Sequence, residues 1–126
     1  MIITIPFKTP TINHLYWHRG NMKIMTKEAK EVKEHITKLV DLIHNDLPTE
    51  KKLKVTVEVR ENWLTKKGEV KRKDVANREK FIIDCVFDAL GIDDKFIYEL
   101  ILRKVQSEDV ESAIIKIEEH PYENNI

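Results

Sequence analysis

Apolar and polar residues alternate strictly from Leu53 to Arg60: Leu53, Val55, Val57 and Val59 against Lys54, Thr56, Glu58 and Arg60. This two-residue period predicts a strand with one wet face. Ala29, Val32, Ile36, Leu39, Val40 and Ile43 instead recur at three- and four-residue spacing. They predict an amphipathic helix that starts after Thr26, a good N-cap, and ends near Asp46-Leu47-Pro48. A second helix is expected over residues 75–90, stopped by Gly91. Residues 1–6 read as a short strand, and residues 97–104 and 112–119 as two more, joined by a turn around Ser107-Glu108-Asp109. Residues 7–25 are polar and aromatic, and residues 62–73, with Gly68, form a basic loop. The order β-α-β-α-β-β is α+β: a small mixed sheet with two helices packed on one face. With no internal repeat, residues 1–126 are expected to be a single domain.

At about 100° per residue, the second helix gathers Val75, Ile82, Ile83, Val86, Ala89 and Leu90 on one face, with Asn77, Asp84 and Asp88 opposite. Lys80 falls at the boundary. Glu79 breaks the pattern, projecting from the middle of the apolar face, where an unpaired carboxylate is costly. The positive end of the helix dipole, a cationic partner or a metal would each account for it. Cys85 lies alone in the same helix and reads as a small buried hydrophobe.

The formal net charge is zero, but its distribution is not even. Residues 1–27 contain Lys8, Arg19, Lys23 and Lys27 and no acid. Residues 64–80 set Lys66, Lys67, Lys71, Arg72, Lys73, Arg78 and Lys80 against Glu69, Asp74 and Glu79, and the balancing acids lie late, from Glu108 to Glu123. A neutral sum conceals a dipolar molecule able to hold a polyanion. No apolar run approaches the roughly 20 residues needed to span a bilayer, and the N-terminus does not read as a signal peptide. The expected location is cytoplasmic, without a membrane partner.

The chemistry concentrates in Asp74-Val75-Ala76-Asn77-Arg78-Glu79-Lys80, preceded by Lys71-Arg72-Lys73 and followed by Asp93-Asp94. Carboxylates suit Mg²⁺ and adjacent cations hold a phosphodiester, so the pattern points to metal-assisted chemistry on a nucleic acid. Asp74 also reads as a helix N-cap, and Asp93-Asp94 as an ordinary turn.

On these residues the chain resembles the RusA-type Holliday junction resolvases, small Mg²⁺-dependent homodimeric endonucleases encoded by phages and prophages. Pro10-Thr11-Ile12-Asn13 followed by Tyr16 is similar to the family's N-terminal Pro-x-x-Asn segment. The signature Asp-x-Asp-Asn-x-x-Lys falls on Asp74, Ala76, Asn77 and Lys80, continues to Asp84, and closes with Asp93-Asp94. The resemblance implies a homodimer that cuts four-way DNA junctions in recombination and repair, using Mg²⁺, with Mn²⁺ as a substitute ion. It implies Asp74, Lys80 and Asp94 as catalytic residues, and Asp74 and Asp94 as metal ligands, with Asp93 beside them. Lys66, Lys67, Lys71, Arg72, Lys73, Arg19, Lys23 and Asn13 are the candidate DNA contacts.

One position departs: Ala76 stands where the family has its middle aspartate. Glu79, three residues on and so a surface neighbour on a helix, is the candidate replacement ligand, with Asp84 the weaker one. The alternatives are a junction-binding protein of the same fold that has lost cleavage, or a non-enzymatic oligomerising α+β domain. His14 and His18 flank Tyr16 and Trp17, but no third ligand stands at a zinc-like spacing, so they read as loop residues. Tyr16 and Trp17 suit stacking on bases or packing on the sheet, and Trp63 suits core or dimer interface.

Overall fold

The computed structural model describes residues 1–11, 15–43 and 50–124, with Asn77 for its backbone only. Along them the chain runs β1 (Ile2–Ile5), β2 (Tyr16–Arg19), β3 (Met22–Met25), α1 (Lys27–Asp41), β4 (Leu53–Glu61), α2 (Ala76–Leu90), β5 (Ile97–Gln106) and β6 (Ser112–Glu119). Four strands make a mixed sheet in the order β1-β6-β4-β5, and β2 and β3 pair separately. The architecture is α+β, as the periodicity implies, with a hairpin added. Pro10 and Thr11 are described, but Ile12, Asn13, His14, His44 and the expected helix end at Asp46-Leu47-Pro48 lie outside the described residues.

The strand alternation translates directly into layers. Ile3 and Ile5 of β1, Leu53, Val55, Val57 and Val59 of β4, and Ala113, Ile115 and Ile117 of β6 are buried in one core with Ala29, Ile36 and Val40 of α1 and Ile82 and Val86 of α2. The other face keeps its polar positions half-buried or exposed, including Thr56, Arg60, Arg103 and Lys116. β4 and β5 are parallel with α2 as their crossover, while β6 lies antiparallel between β4 and β1. The turn after β5 therefore passes beyond the end of β4, where the Ser107 N–H donates to the Glu61 carbonyl at 3.0 Å.

The helix ends obey local chemistry. The Thr26 hydroxyl accepts from the Ala29 N–H at 3.2 Å, the expected N-cap. α1 stops at Asp41 rather than near residue 46, because Val40 is its last buried position and Leu42 is 84% exposed. The Ile43 N–H then turns to the Val40 carbonyl, a tightened last turn. At the end of α2, Gly91 takes φ +70° and donates to Asp88, while Ile92 donates to Phe87. This pair of bonds needs the left-handed conformation that glycine adopts without a Cβ clash.

The hairpin was missed in the periodicity because each strand has only four residues and mixes polar with aromatic positions. Its signal is Gly20-Asn21, a two-residue connection with Gly20 at φ +60°, which suits a right-twisted hairpin. Cys85 is buried, and burial pushes its thiol up to about 12, consistent with an inert core residue. Trp63 is likewise core, its indole N–H donating to the Val59 carbonyl at 3.1 Å. Among the described residues no helix is long and apolar enough to cross a membrane.

Candidate active site

Two separate hollows, one at the start of α2 and one at its end, contain the acids singled out by sequence. The first, about 380 Å³, is lined by Lys8, Pro10, Thr11, Glu28, Glu61, Trp63, Lys73, Asp74 and Arg78. The second, also about 380 Å³, is lined by Asp84, Phe87, Asp88, Gly91, Ile92, Asp93 and Asp94. Asp74 thus stands in one and the Asp93-Asp94 pair in the other. Among the described residues no three acids, histidines or cysteines converge in a geometry able to hold a metal ion.

Asp74 precedes α2, and its Oδ1 accepts from the Ala76 N–H at 3.0 Å. It therefore closes a local turn just ahead of the helix with one oxygen, Val75 being the N-cap without a side-chain cap bond, and among the described residues no hydrogen bond reaches its other oxygen. Ala76 is exposed in the first turn and offers no donor atom. Asp93 is engaged in the same manner: its Oδ1 accepts from the Lys95 N–H at 2.9 Å, opening the short 3₁₀ turn Asp94–Phe96. Asp94 instead presents its carboxylate outward.

Lys80 ties this second hollow together. Its ammonium donates to Asp84 Oδ1 at 3.0 Å and lies 3.9 Å from Asp94 Oδ2. The Asp84 bond, followed by the Asp84, Asp94 and Glu79 charges, raises its pKa further, so it stays cationic. A helix crossover and a glycine stop bring Lys80 and Asp94 together from separate elements.

Arg78, not Glu79, occupies the centre of the buried face at the start of α2. Its guanidinium is buried with Glu61, Nη2 to Oε2 at 3.1 Å, and Nη1 donates to the Thr9 carbonyl. Lys73 Nζ stands 3.9 Å from the other Glu61 oxygen, which accepts no hydrogen bond among the described residues. The burial and pairing of Glu61 and Arg78 are not read from the sequence above, although the signals are present. The β4 alternation, continued by one step from Val59, points Glu61 inward, and Arg78 precedes Ile82 by one helical turn.

Glu79 is half-buried, and among the described residues no hydrogen bond or ion pair reaches its carboxylate. Desolvation raises its pKa above 4.5, with Lys80 opposing and Asp84 adding to the rise. A carboxyl raised on folding stabilises the protein when protonated, and that contribution is lost as pH climbs through the folded value. In metal-free buffer, Glu79→Gln is therefore expected to melt at or above the wild-type temperature at pH 7. The gap should close in acid below the ordinary 4.5. A lower melting temperature at pH 7 would reveal a cationic partner for Glu79.

The basic loop is a folded tongue rather than an open coil. Leu64 and Val70 bridge its base, and Thr65 and Glu69 exchange bonds across it, with Gly68 at φ +78° in the turn. Lys66, Lys67 and Arg72 are exposed, whereas Lys71 donates to the Asn62 carbonyl at 3.0 Å. Arg19 and Lys23 lie in the hairpin, exposed, with Lys23 over the Tyr16 ring at 4.2 Å. Asn13 lies outside the described residues.

A family model described as Endodeoxyribonuclease RusA matches residues 6–118. No curated protein matches the chain.

Proposed function

The chain belongs to the RusA endodeoxyribonuclease family, and on that premise we propose that it is a Mg²⁺-dependent, structure-selective endonuclease. It resolves four-way DNA junctions by paired incision as a homodimer, in recombination and repair. The observation that carries this reading is the approach of Lys80 to Asp94 at 3.9 Å. A two-fold dimer would offer two equivalent sites to two symmetry-related strands, the requirement of paired incision.

The residues present fit Mg²⁺ in donor chemistry, although Asp74 and Asp94 line different hollows. Asp74 and Asp94 supply hard oxygen donors, and this ion commonly takes only one or two carboxylates, its other positions filled by water and phosphate. Asp74 and Asp94 would hold it, with Glu79 and Asp93 adjoining, and Mn²⁺ would be accepted by the same oxygens. Bound there, the ion would activate water and neutralise the phosphate. Asp74 accepts from the Ala76 N–H with one oxygen while leaving the other for the ligand role, and Asp93, engaged with Lys95, is the less available member of its pair. Lys80, a compact ammonium fixed by Asp84, offsets charge developing on the scissile phosphate. Lys66, Lys67, Lys71, Arg72, Lys73, Arg19, Lys23 and Asn13 hold the flanking backbone.

The test is a synthetic four-way junction incubated with and without Mg²⁺. Symmetric paired nicks are expected with the ion, and sedimentation at micromolar concentration should give about twice the monomer mass. Junction binding without nicks in Mg²⁺ or Mn²⁺ would favour the second reading, a binding protein that has lost cleavage. Ala76 is the observation in its favour, since an exposed methyl stands at the start of α2 where the family carries an acid.

Neutralising Lys71, Arg72 and Lys73 together tests the basic tongue. Each lost phosphate contact should lower the magnitude of the log–log salt slope by about 0.9 on duplex DNA. An unchanged slope would place the phosphates elsewhere.

A further inference from the structure

Trp17 stands apart from the other tryptophan. It is 47% exposed, whereas Trp63 is buried at 4%. The β2–β3 register explains how this arises. Tyr16 faces Met25 and His18 faces Lys23 on one side of the ribbon; Trp17 faces Ile24 and Arg19 faces Met22 on the other. Tyr16 and Met25 pack on the core, which turns the second face outward. That face carries a large aromatic, two aliphatic side chains and a guanidinium, with Met22 62% exposed.

We propose that this outer face is a base-contacting surface, on which Trp17 stacks against bases left uncovered at the branch point of a four-way junction. The inference rests on the junction-cutting reading and adds a second mode of recognition to it. Three observations select the partner. First, charge: residues 1–27 carry four cations and no acid, so the ribbon attracts a polyanion. The same charge disfavours a second copy of the ribbon, which would set Arg19 and Lys23 against their equivalents.

Second, placement: Thr11 before the ribbon and Glu28 after it both line the hollow that contains Asp74. The ribbon base is closed there by the Thr26 N–H on the Leu15 carbonyl at 2.8 Å, and Leu15 is buried. Four strand residues reach about 13 Å, roughly four base steps at ~3.4 Å each. The aromatic is therefore within a few steps of a phosphate held beside Asp74.

Third, chemistry: stacking needs an exposed π-face, and a duplex hides those faces inside its stack, whereas a branch point uncovers them. Aromatic side chains stack on any base without sequence readout, and Ile or Met wedges unstack adjoining steps. Such a face discriminates branched from linear DNA, which cations on phosphates cannot do alone.

The experiment measures binding of wild type, Trp17→Ala and Trp17→Phe to a four-way junction and to a duplex of matched sequence. 2-Aminopurine placed at the branch point reports stacking. Trp17→Ala should weaken junction binding roughly ten- to a hundredfold, leave duplex binding within about twofold, and abolish the 2-aminopurine quenching seen with wild type. Trp17→Phe should restore most of the effect. Emission from Trp63, still buried, checks that each variant is folded. Equal junction binding by wild type and Trp17→Ala overturns the proposal while leaving the functional reading intact. So does an equal loss on junction and duplex, or a shift to a smaller sedimenting species, which would make the face a self-interface. A wild-type protein with no preference for the junction overturns both.

Discussion

Asp94→Asn is expected to lower Mg²⁺-dependent junction cleavage by on the order of 10²-fold or more while junction affinity stays within a few-fold. A metal ion supplies several kcal/mol of transition-state charge stabilisation, and each ~1.4 kcal/mol is a decade in rate. The substitution keeps the shape of the side chain and removes its charge, so the backbone around Gly91 should hold. Lys80 would also lose one of its two ion-pair partners, though Asp84 remains at 3.0 Å to keep it in place. Asp74→Asn should behave similarly, because an amide oxygen can still accept from the Ala76 N–H. Asp93→Asn should be milder, since it is Asp94 and not Asp93 that approaches Lys80. Single-turnover nicking of labelled junctions, beside gel-shift affinity in Ca²⁺, separates the two quantities. A fully active Asp94→Asn would remove Asp94 from the site, and a more damaging Asp93→Asn would exchange the two roles.

Arg78→Leu is expected to destabilise the fold by about 3–5 kcal/mol, since it leaves the buried Glu61 without its hydrogen-bonded partner, with only Lys73 at 3.9 Å. It also frees the Thr9 carbonyl, which Arg78 holds against α2. The informative comparison is the double variant Glu61→Met with Arg78→Leu. Buried ion pairs replaced together by apolar residues of similar volume are often neutral or stabilising. The double variant should thus recover most of the loss in urea titrations with an unchanged m-value. If Arg78→Leu alone costs less than about 1 kcal/mol, the pair is solvated in solution and its desolvation argument fails.

Much of the scaffold was legible because burial follows a period. The alternation of β4 and the stripe of α1 each encode one face, and Thr26 and Gly91 mark boundaries by local bonding alone. The hairpin escaped because four-residue strands give too few repeats to establish a period, although Gly20-Asn21 marks the turn. The burial of Glu61 and Arg78 escaped for a different reason: each is polar, and partners distant in sequence make its burial tolerable. Pairing across seventeen residues is a tertiary fact. Glu79 was placed on the buried face by angle, yet Arg78 has the partner and takes the interior. For the acids, sequence supplied the candidates. That Asp93 caps a turn while its neighbour approaches Lys80 depends on the 3₁₀ turn that follows.

The strand order has a consequence for how the protein comes into being during translation. β6 is made after the other five strands described, yet it lies between β1 and β4, and the Met1 ammonium itself donates to the Ile117 carbonyl at 2.8 Å. A nascent chain that ends before β6 has β1 with no neighbour and β4 open along one edge, whatever its helices have formed. Contacts of such long sequence separation are slow to close, and unpaired edges invite association with other chains in the interval. The segment that carries Asp74 and Lys80 is synthesised well before the sheet can be completed. A ribosome-stalled fragment should accordingly be protease-sensitive throughout, and protection should arrive in one step once β6 has emerged.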